Sequence, residues 1–400
     1  MTMPGVDYCA AMVLLSEISV KSSMNLPTSV AERVKRVAIC LARTNDAGGA
    51  EVVAYRLREK LEANRIDVEI VWIPHTFFPS VIYKSITERS KTDRIALSAL
   101  GFVDVWLNFA ETSLRALDYD LLVTLHWNTL YLRHPNMIVY FLHQERTAYD
   151  LYAHVAGNLS ILGKAAFFAQ AVSRRLVDRS VVSRIRSDRI SVIAISRNVA
   201  KRLERYWHVQ ARRIIYPGGY DPIFHDDSRD YVLYFGRLDW SVKRLSLVYS
   251  VARMLPEIPF VVAGGPLHRL VDPRILDLPN NVRLELFNGL CPMIEKARIY
   301  SHASCVLYPS LDDDFGIVPV EAMSAGKPCV VCTDGGGVTE TVVHGKTGLV
   351  VPSTPEALAL AVKQLHRSGA SMKEDCEERA KMFSWDRCLD ELFSEIQRSL

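Results

Sequence analysis

The stretch Pro309–Pro328, PSLDDDFGIVPVEAMSAGKP, places three aspartates directly before Phe315-Gly316 and a lone glutamate, Glu321, seven residues beyond Asp314. Ser304–Tyr308 ahead of it reads as a strand, Pro309–Asp314 as a loop, and Ile317–Ala325 as a helix stopped by Gly326. In a doubly wound parallel sheet, ligands gather beyond the carboxyl ends of the strands, where such loops lie. The first amides of the helix, at Phe315, Gly316, Ile317 and Val318, have no partner inside it and suit phosphate oxygens. Glu321 lies too far along the helix to cap it, and its two acceptor oxygens suit a ribose diol. Asp313 would receive hydroxyl donors from a group beyond the phosphates. The spacing acid-x7-acid then reads as sugar end, phosphate, ribose.

Two other readings compete for the same residues. Asp312 and Asp314 form a D-x-D, a carboxylate pair able to hold a divalent metal. Such a pair usually follows a nucleotide-binding half near the N-terminus, whereas this one comes after residue 300. Alternatively, the aspartates merely favour the positive end of a helix dipole.

Neighbouring loops favour the ligand reading. Tyr234-Phe235-Gly236-Arg237-Leu238 ends a strand, and Lys243 follows. A guanidinium and an ammonium on one strand-end loop suit a diphosphate. Asp334-Gly335-Gly336-Gly337-Val338-Thr339-Glu340 follows the strand at Cys329, with glycines that permit close backbone approach or a tight turn.

Strands alternate with helices along most of the chain. Val37–Leu41 leads into a turn-rich loop, Thr44–Glu51, and a helix with Val53, Leu57 and Leu61 on one face. Further strands are expected at Val68–Ile73, Leu121–Leu125, Met137–Leu142, Ser191–Ile195 and Arg213–Tyr216. A break at Pro217–Pro222, with a charge shift at His225–Asp230, marks a linker. The alternation restarts at Tyr231–Phe235 and continues through Phe260–Ala263, Val282–Leu286, Cys305–Tyr308 and Cys329–Cys332. Two such runs predict two Rossmann-like domains of α/β class facing a cleft. Trp385, Leu389, Leu392, Phe393 and Ile396 mark one face of a final amphipathic helix.

Composition limits the remaining classes. A chain of 400 residues exceeds one hydrophobic core, and 49% hydrophobic with 23% charged residues excludes disorder. The eight cysteines are irregularly spaced and read as reduced, buried residues. The C-x-x-C at Cys329 and Cys332 falls on a β-branched run, where positions i and i+3 face opposite sides, so a redox pair is not expected. Cys9–Leu15 is too short for a membrane span and lacks the basic lead of a signal peptide, so a cytoplasmic protein is expected. From Lys164 to Arg213, thirteen Lys/Arg face three acids, a local +10 in a chain of net +3. Such a strip could meet an anionic membrane surface, which would make the protein peripheral, or simply be solvated helix faces. No recognition-helix or aromatic-interleaved pattern accompanies it, so nucleic acid is not expected.

From about residue 35 to 400 the chain resembles the retaining nucleotide-sugar glycosyltransferases of family 4, whose architecture is GT-B. The resemblance rests on Gly48-Gly49-Ala50-Glu51, Ser196–Arg202, Tyr216–Phe224, Gly236-Arg237 with Lys243-Arg244, Asp313–Glu321, Gly336–Glu340, Gly345–Val350 and Phe383-Ser384-Trp385. It implies an N-terminal extension (1–34), an acceptor domain (35–220), a donor domain (221–374), and a C-terminal helix (375–400) packing back on the first domain. It implies a hexosyltransferase using a UDP- or GDP-sugar as donor and a saccharide or lipid-linked saccharide as acceptor, in polysaccharide or glycoconjugate synthesis. No resident cofactor or metal is implied. Arg237 and Lys243 would neutralise the donor diphosphate, Glu321 would hold the ribose, and Asp313 the sugar hydroxyls. Gly48 and Gly49 would let the first-domain loop approach the donor, and Asn288-Gly289-Leu290 would border the base. His143, in Phe141–Asp150, would line the reaction centre, while His126 follows another apolar strand. Three positions depart from the family pattern. Asp313 stands where glutamate is usual, one extra residue separates Arg237 from Lys243, and Gly218 replaces a common asparagine, which reads as a matter of turn geometry. Three other readings share parts of this pattern: a non-catalytic nucleotide-sugar-binding subunit, a sugar-nucleotide epimerase, and a nicotinamide dehydrogenase. The epimerase lacks the acid-x7-acid pattern, and no G-x-G-x-x-G follows an early strand to support the dehydrogenase.

Overall fold

The computed structural model describes residues 36–398 apart from 44–48, 75–117, 127–128, 131, 133, 143–145, 147, 158–159, 187–189, 221–227, 241, 266–272 and 288–290. Gly48, His143, Asn288, Gly289, Leu290 and the 1–34 extension therefore lie outside the described residues.

The first domain contains β1 (Arg36–Arg43), α1 (Gly49–Ala63), β2 (Asp67–Pro74), β3 (Leu121–Thr124), β4 (Met137–Phe141), α2 (Tyr152–Gly157), α3 (Ile161–Ile185), β5 (Ile190–Ala194), α4 (Arg197–Trp207) and β6 (Arg213–Ile214). Its strands pair in parallel in the order β2-β1-β3-β4-β5-β6. All of β3 and β4 is buried. Continuous apolar strands of this kind are stable only with helices on both faces.

The second domain contains β7 (Tyr231–Phe235), α5 (Leu245–Met254), β8 (Phe260–Gly264), β9 (Val282–Leu286), α6 (Met293–Ser301), β10 (Ala303–Tyr308), α7 (Ile317–Ser324), β11 (Cys329–Cys332), α8 (Val338–Thr341), β12 (Gly348–Val351) and α9 (Pro355–Ser368). The parallel order is β12-β11-β10-β7-β8-β9. From β7 the chain winds outward through β8 and β9, then returns to β7's other side for β10. The crevice between β7 and β10 is thus the switch point where such a sheet takes a ligand. Cys329 and Cys332 pack into cores on opposite faces of this sheet. The seven described cysteines are all unpaired.

The chain ends with α10 (Lys373–Lys381) and α11 (Trp385–Arg398). Cys388, Leu389, Leu392, Phe393 and Ile396 of α11 join the first-domain core. Lys60 Nζ lies 2.7 Å from Asp390, and Arg213 donates to the fully buried Glu395 at 3.0 Å. Gly218 is more than a turn residue. A Cβ there would lie 2.3 Å from the Trp385 ring, so the crossing segment itself excludes asparagine.

The basic strip from 164 to 213 is not one surface. Arg174 is buried against Asp178 at 3.0 Å, Arg202 is buried against Asp314 at 2.6 Å, and Arg184 donates to Leu132 O at 3.0 Å. These cations are consumed by internal acceptors, so only part of the strip faces solvent.

Candidate active site

The carboxyl ends of β7 and β10 bring Lys243 and Asp313 together. Lys243 Nζ lies 2.5 Å from Asp313 Oδ2 and donates to the Tyr308 hydroxyl at 2.8 Å, while that hydroxyl donates to Asp313 Oδ2 at 2.8 Å. Asp239, on the same loop, accepts the Val242 and Lys243 amides at 2.5 and 3.1 Å and so shapes the approach of the lysine. The extra residue in this loop therefore does not displace Lys243 from the site. Burial pushes the Asp313 carboxyl up, but the Lys243 ammonium and the Tyr308 hydroxyl outweigh it and hold the group well below the usual carboxylate range. Burial first, then the Asp313 charge, keeps the Tyr308 phenol well above its usual range, so it stays a donor. The charge of Arg237, whose side chain is exposed on the loop after β7, opposes that rise.

Glu321 projects from the second turn of α7. Its Oε1 accepts from Lys296 Nζ at 2.7 Å and its Oε2 from the Tyr300 hydroxyl at 2.8 Å. Both donors stand on α6, one helical turn apart, so one helix face aims both at the carboxylate. The Tyr300 phenol is raised well above its usual range by burial and then by Glu321. Glu321 thus accepts one donor at each carboxylate oxygen.

The other two aspartates face the first domain. Asp312 accepts from Asn198 Nδ2 at 2.7 Å and from Arg146 at 3.1 Å, and Arg202 lies 2.6 Å from Asp314 Oδ1. Ser196 Oγ donates to Asp314 O at 2.5 Å and also caps α4 by accepting the Val199 amide at 2.9 Å. Both carboxylates of the D-x-D are thus engaged by guanidiniums and an amide across the domain boundary. Asp312 has φ +44°, a left-handed conformation that aspartate tolerates better than most residues.

The glycine-rich loop after β11 zips onto the acidic loop. Asp312 N donates to Asp334 O, Asp313 N to Gly335 O, and Gly337 N to Asp313 O, each at 2.8 Å. Gly336 has φ +64°, and a Cβ there would lie 2.5 Å from both Asn198 Nδ2 and Asp312 Oδ1. Its role is close loop packing. Arg244 grips Asp334 through two bonds of 2.8 and 2.7 Å, which hold that carboxyl below its usual range. Glu340 reaches across to the first domain and accepts the Arg197 and Asn198 amides at 2.9 and 2.8 Å and the Tyr216 hydroxyl at 3.0 Å. It sits within α8, and its carboxylate serves the start of α4 instead of its own helix.

Gly316 is the N-cap of α7, with φ +91°, and Ile317 and Val318 open the helix. Phe315 is buried against Tyr216 and Phe383, with ring centroids 5.6 and 5.5 Å away, so its side chain seals the domain junction. Gly49 opens α1 beyond β1, and Gly218 abuts Trp385. His126 follows β3, and its carbonyl accepts the Thr129 hydroxyl at 2.5 Å. Sequence reasoning missed Tyr300, Tyr308, Lys296 and Arg146. The available signal was a tyrosine closing a buried apolar strand, whose hydroxyl must find a partner.

The two facing parallel-sheet domains, with the terminal helix returned to the first, define a GT-B fold. Sucrose-phosphate synthase from Thermosynechococcus elongatus superimposes with TM-score 0.69 at 18% identity over 91% of this chain and 98% of its own. Anabaena HepE, solved with UDP and glucose, gives 0.63 at 17% identity over 92% of this chain and 100% of its own. Residues 221–383 match the family described as Glycosyl transferases group 1. D-inositol 3-phosphate glycosyltransferase of Mycolicibacterium paratuberculosis is 30% identical over 43% of this chain, and the chain spans only 41% of that relative. The protein of the same name from Mycobacterium avium is 26% identical over 89% of this chain and 90% of its own length.

Proposed function

We propose that this protein is a family 4 glycosyltransferase that moves a hexose from a nucleoside diphosphate sugar to a saccharide or lipid-linked saccharide acceptor, with retention at the anomeric carbon. The observation that carries the reading is the Lys243–Asp313–Tyr308 cluster at the β7/β10 crevice, with Arg237 on the same loop and Glu321 on the following helix. The solved relative with UDP and glucose favours UDP as the base and diphosphate.

In the proposed reaction, Lys243 and Arg237 take the diphosphate charge, with the first amides of α7 adding neutral donors. Glu321 binds the ribose diol, and Asp313, released from Lys243 as the ammonium turns to phosphate, accepts sugar hydroxyls. The acceptor hydroxyl attacks C1 as the C1–O bond to the diphosphate breaks. The bonding pair leaves with phosphate, whose oxygen takes the acceptor's proton on the same face of the sugar. The scheme routes no step through a metal, and Asp312 and Asp314 serve in it as partners of Arg146, Arg202 and Asn198.

The test is transfer from UDP- and GDP-hexoses to a panel of saccharides and phosphorylated polyols, with product stereochemistry read by NMR. One nucleotide sugar should be used, with EDTA present and the anomeric configuration kept. Inversion would overturn retention, and nucleotide binding without transfer to any acceptor would overturn catalysis.

A further inference from the structure

Asp313 is pinned at its backbone and can turn only at its side chain. Its N–H donates to Gly335 O at 2.8 Å, and its carbonyl accepts the Gly337 amide at 2.8 Å and Asn198 Nδ2 at 2.9 Å. The partners of the carboxylate therefore set its direction. Oδ1 accepts the Asp314 amide at 2.9 Å, and Oδ2 takes two side-chain donors, Lys243 Nζ at 2.5 Å and the Tyr308 hydroxyl at 2.8 Å.

These two donors differ in how far they can move. Lys243 stands on the loop between β7 and α5, and its ammonium ends a flexible four-carbon stem able to swing to a phosphate. Tyr308 is the last residue of β10, with its ring 4% exposed and stacked on Tyr234, centroids 6.4 Å apart. The Tyr234 hydroxyl is itself fixed on Arg237 O at 2.6 Å. A phenol has one proton to give, and Tyr308 spends it on Asp313 while accepting from Lys243 at 2.8 Å. Withdrawal of Lys243 leaves that proton where it is. The aspartate suits this arrangement, because its short side chain keeps the carboxylate within reach of a hydroxyl five positions earlier.

We propose that Tyr308 is the positioning residue of the donor sugar site: its hydroxyl holds the Asp313 carboxylate in place, ready for the sugar hydroxyls, once the diphosphate has drawn Lys243 away. The proposal rests on the donor-site reading above and adds to it the group that replaces Lys243 as the anchor of Asp313. Without that hydroxyl, donor binding would leave a largely buried carboxylate with the Asp314 amide as the one remaining donor among those described here.

The experiment is a double-mutant cycle on Y308F and D313N, read by calorimetric titration with UDP-glucose and UDP-N-acetylglucosamine and accompanied by melting curves. Y308F keeps the ring and its packing, and should weaken nucleotide-sugar binding about ten- to a hundredfold, the range of a hydrogen bond to a charged group. In D313N the hydroxyl meets a neutral amide, so Y308F should cost at least about fivefold less there than in the wild type. D313A serves the same comparison if D313N does not fold. A merely structural tyrosine would cost the same in both backgrounds. Y308F binding like wild type, or an equal loss in both backgrounds, would overturn the proposal and leave the donor site standing. Absence of wild-type binding to both nucleotide sugars would overturn the donor-site reading and this proposal with it.

Discussion

Lys243 and Asp313 form an ion pair of 2.5 Å in which the side chains retain only 12% and 14% of their exposure. Lys243 is thus neutralised by Asp313, the residue proposed to hold the sugar. A diphosphate would compete for Lys243 and free Asp313, coupling the two halves of donor binding. Removing either partner leaves a buried, uncompensated charge, which costs about 3–5 kcal/mol.

The pair has a defined pH dependence. The folded Asp313 carboxyl is depressed below its unfolded value of about 4, so its stabilisation is fully present above that pH. It is lost only as pH falls through the lower folded value. K243M should therefore lower the melting temperature strongly at neutral pH and progressively less below about pH 4. A deficit that stays constant down to pH 2 would refute the pairing.

Glu321 depends on Lys296 and Tyr300 for its orientation. E321A should weaken donor use about ten- to a hundredfold, the range of a hydrogen bond to a charged group. K296M and Y300F should each raise the donor KM several-fold while leaving acceptor KM unchanged. Donor titrations of the three variants check this, and unchanged donor kinetics in all three would remove the site from the ribose.

Glu340 joins the domains through the exposed start of α4. Two amides at a helix N-terminus lose a charged acceptor in E340A, a loss of about 1–3 kcal/mol. The expected outcome is a lower melting temperature, with E340Q falling between E340A and wild type. Thermal unfolding of the three proteins checks it.

Gly218 lies against the Trp385 ring. G218A should destabilise by about 1–3 kcal/mol through overpacking. The smaller partner in G218A/W385L should recover part of that loss, and a double-mutant cycle measured by denaturant melts would show the coupling.

The strand–helix alternation was legible because hydrophobic periodicity is local. Tyr231–Phe235, Val282–Leu286 and Cys329–Cys332 stand where their apolar runs place them. The long helix Ile161–Ile185 was not resolved as an element, since its apolar residues lie on both its buried and its exposed faces.

Residue types and spacing on their own determined two α/β domains and the set of charged strand-end loops around Asp313 and Glu321. Only the tertiary structure decided which charge meets which. Adjacent aspartates divide: Asp313 turns to Lys243, 70 positions away, while Asp312 and Asp314 turn to Asn198 and Arg202 of the other domain. The same holds for Glu340, which leaves its own helix for α4, and for the arginines of the basic strip that turn inward. The reason is physical. Helix and strand formation depends on neighbours a few residues apart, whereas these partners meet only because β10 returns beside β7 and the two domains close on one another.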